Sequence, residues 1–187
     1  MAFYGNCIFT TRLCLKKPAV ADLELMAEWS CAPEANGLYL SAENLDVEHL
    51  SHQLNSGALW NDKEKRFVIW LKDGEPIGCI RYWTVSGQVN TVVVTVKIAR
   101  ASERRKGYGT EAQKFLIKHL MDNENIRQVQ MYTDINNISQ QRCLVKLGFD
   151  MKEALQYQDQ KIMRNGLLYV LSKQNFERHP IYRYHNE

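Results

Sequence analysis

The feature that most constrains this chain is a β-branched run, Thr91 to Ala99, followed closely by the cationic stretch Arg104-Arg105-Lys106-Gly107-Tyr108-Gly109-Thr110. The run contains no breaker and reads as a buried strand. Beyond the turn, Glu111 to Met121 places Ala112, Phe115, Leu116 and Leu120 on one face of a helix. Such a strand-to-helix passage suits an anion. Glycine lets the backbone come close to a ligand, and the first N–H groups of a helix have no internal partner and carry the positive end of its dipole. The same residues also suit a solvated charge run at a helix surface. The Lys-Ser/Thr pair of a Walker loop is missing, and the stretch is not the Gly-x-Gly-x-x-Gly of a dinucleotide fold, so nucleotide triphosphate and nicotinamide chemistry are disfavoured.

Around this segment the remaining pattern reads as α+β. Ile8 to Leu15 is expected as a first strand, Ala19 to Trp29 as a helix and Leu45 to Leu54 as a second helix. Phe67 to Leu71 and Ile77 to Thr84 form a hairpin across Lys72-Asp73-Gly74-Glu75, and Val89 to Ala99 extends it into a meander. After the helix Tyr108 to Met121, Arg127 to Thr133 is expected as a strand parallel to the preceding one through a crossover. Ile138 to Leu147 is a helix ended by Gly148, and Phe149 to Leu155 and Gly166 to Leu171 are final strands separated by a polar segment.

A chain of 187 residues without a linker-like stretch is expected to be one domain, residues 1–187. A formal charge of +3, spread along the chain apart from the Arg104 cluster, disfavours nucleic acid as a partner, and no apolar stretch is long enough for a membrane span. Met1 to Cys7 lacks the basic lead and apolar core of a signal peptide, so a cytoplasmic location is expected. The five cysteines show no metal-ligand spacing, His49 and His52 are not at i, i+4, and no metal site is expected.

Two motifs together resemble the GNAT superfamily of acyl-coenzyme A-dependent N-acetyltransferases. Arg104-x-x-Gly107-x-Gly109 is similar to its Gln/Arg-x-x-Gly-x-Gly/Ala phosphate turn, and Asn137 stands eleven residues before Gly148-Phe149, as an Asn commonly does in the family. Gly107-Tyr108-Gly109-Thr110-Glu111-Ala112 and Thr11-Arg12-Leu13-x-Leu15 resemble the RimJ/RimL branch of protein N-terminal acetyltransferases. Asp73-Gly74-Glu75-Pro76-Ile77-Gly78 and Gln141-Arg142-Cys143 resemble stretches of aminoglycoside 6′-N-acetyltransferases. The resemblance implies a mixed, mostly antiparallel sheet with a splayed parallel pair and helices on both faces.

It also implies acetyl-coenzyme A as co-substrate, with its pyrophosphate on the N–H groups from Arg105 to Thr110, including those of Lys106, Gly107, Tyr108 and Gly109. Arg104, Arg105 or Lys106 would supply countercharge. The pantetheine arm is expected beside Ile98 and Ala99, near Asn137, with direct acetyl transfer to a primary amine of a small molecule or a protein N-terminus, and a homodimer is possible. An alkyl amine is about a thousandth deprotonated near neutral pH, so a base is useful. Thr91 to Ala99 carries no carboxylate where many family members place a glutamate, and Asp134, at the end of the next strand, is the preferred candidate; it equally suits a helix cap. The family's frequent acid, a tyrosine seven residues after the Asn, is replaced by Leu144; Tyr132 and Tyr157 are candidate substitutes, though each better suits a packing tyrosine with its hydroxyl bonded at the surface. The absence of acid and base also fits a non-catalytic acyl-coenzyme A-binding regulator. From Ala19 to Asn61 there is no Lys or Arg, while Glu28, Glu34, Glu43, Asp46 and Glu48 lie there, a bias that suits a cationic acceptor such as a polyamine or aminoglycoside, or an ordinary acidic surface.

Overall fold

A computed structural model describes residues 3, 4 and 6–183. Among these residues nine strands form one sheet in the order β1-β2-β3-β4-β5-β6-β7-β9-β8. In chain order these are β1 (Phe3–Tyr4), β2 (Cys7–Phe9), β3 (Leu13–Lys16), β4 (Glu64–Leu71), β5 (Pro76–Thr84), β6 (Thr91–Ile98), β7 (Gln128–Asp134), β8 (Asp150–Asp159) and β9 (Ile162–Ser172). The helices are α1 (Leu23–Cys31), α2 (Pro33–Asn36), α3 (Val47–Asn55), α4 (Tyr108–Asn123), α5 (Ile138–Lys146), α6 (Lys173–Arg178) and α7 (Pro180–Arg183). All neighbouring strands run antiparallel except β6 and β7, which are parallel and joined through α4. The expected mixed sheet with one parallel pair is therefore present.

Period-two alternation decides which face each strand residue occupies. Ile80, Tyr82, Val92 and Val94 pack with Ala112, Leu116, Ile117 and Leu120 of α4 and with Leu144 of α5. On the opposite face, Val68 and Cys79 meet Leu23, Met26 and Leu50 of α1 and α3. Helices thus cover both faces. Losing one of these fully buried leucines to alanine would cost about 2–5 kcal/mol through lost burial and the cavity left behind. No described helix is long and apolar enough to cross a membrane.

Three features differ from the expected pattern. The first strand is two strands, because Thr10 closes a turn: its hydroxyl accepts from the Leu13 N–H at 2.8 Å, and its own N–H donates to the Leu13 carbonyl at 2.9 Å. The polar segment before Gly166 is part of a long β8–β9 hairpin that turns at Gln160, where φ is 55°. β8 lies at the sheet edge and is mostly exposed, so it lacks the hydrophobic alternation that marks a strand. The third is the pair α6 and α7, whose Phe176 and Tyr182 join the core, with the Tyr182 hydroxyl donating to the Leu147 carbonyl at 2.8 Å.

The parallel seam opens partway along. β6 and β7 pair only at Thr91–Gln128, Val92–Val129 and Val93–Gln130. Beyond that point β6 stays with β5 as far as Ile98, while β7 stays with β9 as far as Asp134 opposite Gly166. Each strand is held from outside, and the seam between them splays into a cleft.

Candidate active site

The turn from Arg104 to Thr110 lies between the end of β6 and α4. Among the described residues, none of the N–H groups from Arg105 to Thr110 donates to a backbone carbonyl. The chain achieves this by left-handed steps at Arg105, φ 61°, and Gly107, φ 85°. Gly107 is also confined sterically, since a Cβ there would lie 3.3 Å from an Arg12 guanidinium nitrogen. Gly109 is different: it lies inside α4, and a Cβ would meet only Ile98 Cγ1 at an ordinary 3.6 Å. This row of amides at the positive end of a sixteen-residue helix is suited to an anion.

The charged residues of the turn divide their work. Arg104 turns inward, and its guanidinium donates to the carbonyls of Ile98 at 2.8 Å, Glu34 at 2.5 Å, Ala35 at 3.0 Å and Ala99 at 3.3 Å. It ties the end of β6 to α2, so it does not supply the expected phosphate countercharge. For the same reason the Ile98 and Ala99 carbonyls are already accepting a hydrogen bond, and the open strand edge in the cleft begins at Val94. Arg105 and Lys106 remain exposed at the turn, with Lys106 Nζ 3.0 Å from both Glu103 carboxylate oxygens. The Thr110 hydroxyl lies 3.2 Å from Cys143 Sγ.

Arg12, ninety-two residues before the turn in sequence, braces it from outside. It donates to the Lys106 carbonyl at 3.0 Å and to Glu111 at 2.7 Å, and its guanidinium stacks 4.5 Å over the Tyr108 ring. Burial pushes the Glu111 carboxyl up, but hydrogen bonds from Thr10 and from the Arg12 backbone and side chain outweigh it and hold the carboxyl below the usual range. Nothing in the spacing of Arg12 and Glu111 announces this contact.

The splayed cleft is lined by Val94 and Thr95 of β6, Tyr132 and Asp134 of β7, Asn137 and Gln140 before and on α5, and Tyr157 and Asp159 of β8. Asn137 caps α5, its Oδ1 accepting from the Gln140 N–H at 3.2 Å. Asp134 Oδ1 accepts from the Asn136 N–H at 2.9 Å, and Oδ2 lies 3.5 Å from Arg164. Arg164 also donates to Asp159 at 2.8 Å and to the Ser41 hydroxyl at 3.1 Å. The Asp134 carboxylate thus anchors a turn and an ion pair. Leu144 is fully buried in the core and does not reach the cleft. Tyr157 does reach it. Its ring crosses Gly166, where a Cβ would lie 2.4 Å from Tyr157 Cε1, and burial with Asp159 and Asp134 nearby pushes its hydroxyl up to about 12.

A second cavity adjoins the cleft and shares Leu40, Arg81, Thr95, Val96, Asp159 and Gln160 with it. Its other walls include Trp29, Asn36, Ser41, Glu43, Arg66 and Lys97. The acidic bias of residues 19–61 does not reach inside: Glu28, Glu34, Asp46 and Glu48 are exposed, and Asp46 caps α3 through the His49 N–H. Only Glu43 lines the cavity, and Arg66 engages it at 3.0 and 3.3 Å with Arg81 at 3.6 Å. Burial raises the Glu43 carboxyl, but the two guanidinium groups prevail and keep it ionised below the usual range. The expected cationic-acceptor surface is therefore an outward-facing acidic surface, because the helix positions that carry it point away from the sheet.

Comparison with known proteins agrees with this geometry. Residues 12–150 match the acetyltransferase (GNAT) domain family. No curated protein sequence matches the chain. Among solved structures, RimJ from Mycobacterium smegmatis, in complex with CoA-disulfide, is 16% identical with a TM-score of 0.79, over 96% of this chain and 93% of that one. A spermidine N-acetyltransferase SpeG chimera from Vibrio cholerae and hSSAT is 13% identical with a TM-score of 0.76, over 90% and 99% of the two chains. The aminoglycoside acetyltransferase AAC(6')-Ib in complex with coenzyme A and kanamycin is 20% identical with a TM-score of 0.71, again over 90% and 99%. The crossover joining a splayed parallel pair, the amide-lined turn at its end and the family match over residues 12–150 agree: the chain belongs to the GNAT family of N-acetyltransferases.

Proposed function

We propose that this protein moves an acetyl group from acetyl-coenzyme A directly onto the primary amine of a small molecule or a protein N-terminus. The observation that carries the donor half is the row of amides from Arg105 to Thr110 that donate to no backbone carbonyl at the N-terminus of α4. A pyrophosphate would rest on these groups, with Arg105 and Lys106 as exposed countercharge. The open edge of β6 from Val94, and Asn137 across the cleft, would meet the extended pantetheine arm.

The neutral amine nitrogen attacks the thioester carbonyl carbon. A C–N bond forms, the C–S bond breaks with its electron pair going to sulfur, and the amine loses one proton to water in the cleft. An N–H group on the open β6 edge is suited to the developing oxyanion. Tyr157 keeps its proton at neutral pH and can donate to the departing sulfur, the place left by Leu144. Asp134 and Asp159 hold Arg164 between them and act as positioning residues. Thiol release from acetyl-coenzyme A, measured across a panel of amines, tests the reading. Amine-dependent release is expected, and none with any amine despite cofactor binding would overturn it.

A further inference from the structure

The second cavity is lined by three cations, Arg66, Arg81 and Lys97, and two carboxylates, Glu43 and Asp159. Both carboxylates are already engaged. Glu43 is shared by Arg66 and Arg81, and Asp159 is held by Arg164 and by the Ser41 N–H at 2.8 Å. Lys97 makes no ion pair among the described residues and feels Glu43 only from beyond contact distance. Its ammonium donates to the Trp29 carbonyl and to Asn36 Oδ1, both at 3.0 Å and both neutral, which leaves one of its three N–H groups for a ligand. Asn36 is itself clamped, donating to the Ala32 carbonyl at 2.9 Å, so the ammonium is held in place.

Arg81 stands beside it on the same face, opposite Thr95, and is loosely held, with Glu43 at 3.6 Å and Glu64 at 3.5 Å. Arg66 is buried, and its Nε has no hydrogen-bond partner among the described residues. Excess positive charge in a partly dry cavity is unfavourable unless an anion completes it. The position of the excess carries direction. Arg81 and Thr95 belong to both cavities, whereas Lys97 lies in the second cavity and not in the splayed cleft.

From this arrangement we infer that the acceptor is a small amine that also bears a carboxylate, seated on Lys97 and Arg81 with its amine toward the β6–β7 cleft. The inference rests on the acetyl-transfer reading and narrows it. A polycation is disfavoured, because its second charge would face Lys97 and Arg81 without an unpaired carboxylate to receive it. The roof favours a small molecule. Residues 38–41 are tied to the β8–β9 hairpin through Ser41 with Asp159 and Arg164, and through Arg164 to the Leu38 carbonyl at 3.5 Å, which limits the room beside Ser41 and Asp159.

The test compares matched acceptors on the intact protein: free amino acids, their amides, spermidine, and short peptides beginning with Asp or Ala. The expected kcat/KM for amino acids exceeds that for their amides by about tenfold or more, the usual scale of a charge-assisted contact. Lys97→Gln, which retains a donor for Trp29 and Asn36, should bring that ratio close to one, mainly by raising KM. A preference for spermidine or for amides, or a carboxylate preference that survives Lys97→Gln, overturns the inference while leaving acetyl transfer standing. Preference for the Asp-initiated peptide over every free amino acid overturns the small-acceptor part. No turnover with any amine overturns both this inference and the transfer reading.

Discussion

At the entrance of α4 a negative ligand would be met by backbone, whereas beneath α1 and α2 it would be met by side chains. The first region is one continuous stretch, Arg105 to Thr110, whose amides are freed by two left-handed residues and the start of a helix. The second gathers Arg66 from β4, Arg81 from β5, Lys97 from β6 and Glu43 from the loop after α2. The difference teaches where specificity can change. A backbone site tolerates most side chains and recognises one invariant group, while a side-chain site can be retuned by single substitutions without touching the first. Even the turn's most inward cation, Arg104, serves the joint between the two regions by tying β6 to α2.

Breaking the backbone side should give the largest effect. Gly107→Asp adds a Cβ at a left-handed position, crowds Arg12 and sets a carboxylate against a phosphate, so coenzyme A affinity is expected to fall about 100-fold by calorimetric titration. Unchanged affinity would remove the phosphate site from this turn. Next is Asp134→Asn, which separates anchor from base. As an anchor its loss raises the amine KM and lowers stability with the shape of the pH–rate profile kept; a drop of roughly 100-fold in kcat with loss of the acidic limb would make it the base.

The brace around the turn should give a smaller effect. Glu111→Ala removes the acceptor of Thr10 and Arg12 and should cost about 2 kcal/mol in urea unfolding, with weaker coenzyme A binding as Arg12 loosens from Lys106. Acid should probe both regions at once. Glu43 and Glu111 have folded values below their ordinary 4.5, so their contribution is complete above that value and is lost as pH falls through the lower folded values. Thermal melts should therefore drop on acidification below about 4.5, and Glu111→Gln should flatten that slope. The smallest effect belongs to Gly109→Ala, which has room for its Cβ and should stabilise α4 by about 0.5–1 kcal/mol; destabilisation would show that the turn is tighter than its contacts indicate.

Much of the framework was legible along the chain. The run Thr91 to Ala99 is a continuous β-branched stretch, the helix after Gly107 repeats its apolar residues at helical spacing, and the hairpin before the run is marked by its turn residues, so each is readable from local pattern. β8 was underestimated because an exposed edge strand has no such pattern, and the Thr10 turn because a hydroxyl bond across three residues leaves no apolar trace. At the site, the turn and Asn137 could be found from spacing. The brace from Arg12, the Asp134–Arg164–Asp159 group and the cationic cavity could not, since each joins residues far apart in sequence.

The sequence by itself determined the α+β order, the parallel crossover and the glycine-containing turn at the start of α4, because all three arise from contacts within one element or between neighbours along the chain. Only the tertiary structure decided the charge of the second cavity. Residues 19–61 carry acid and no Lys or Arg, yet the sheet supplies Arg66, Arg81 and Lys97 from beneath while most of that acid points outward. Electrostatic character belongs to what faces a cavity, and facing is settled by packing.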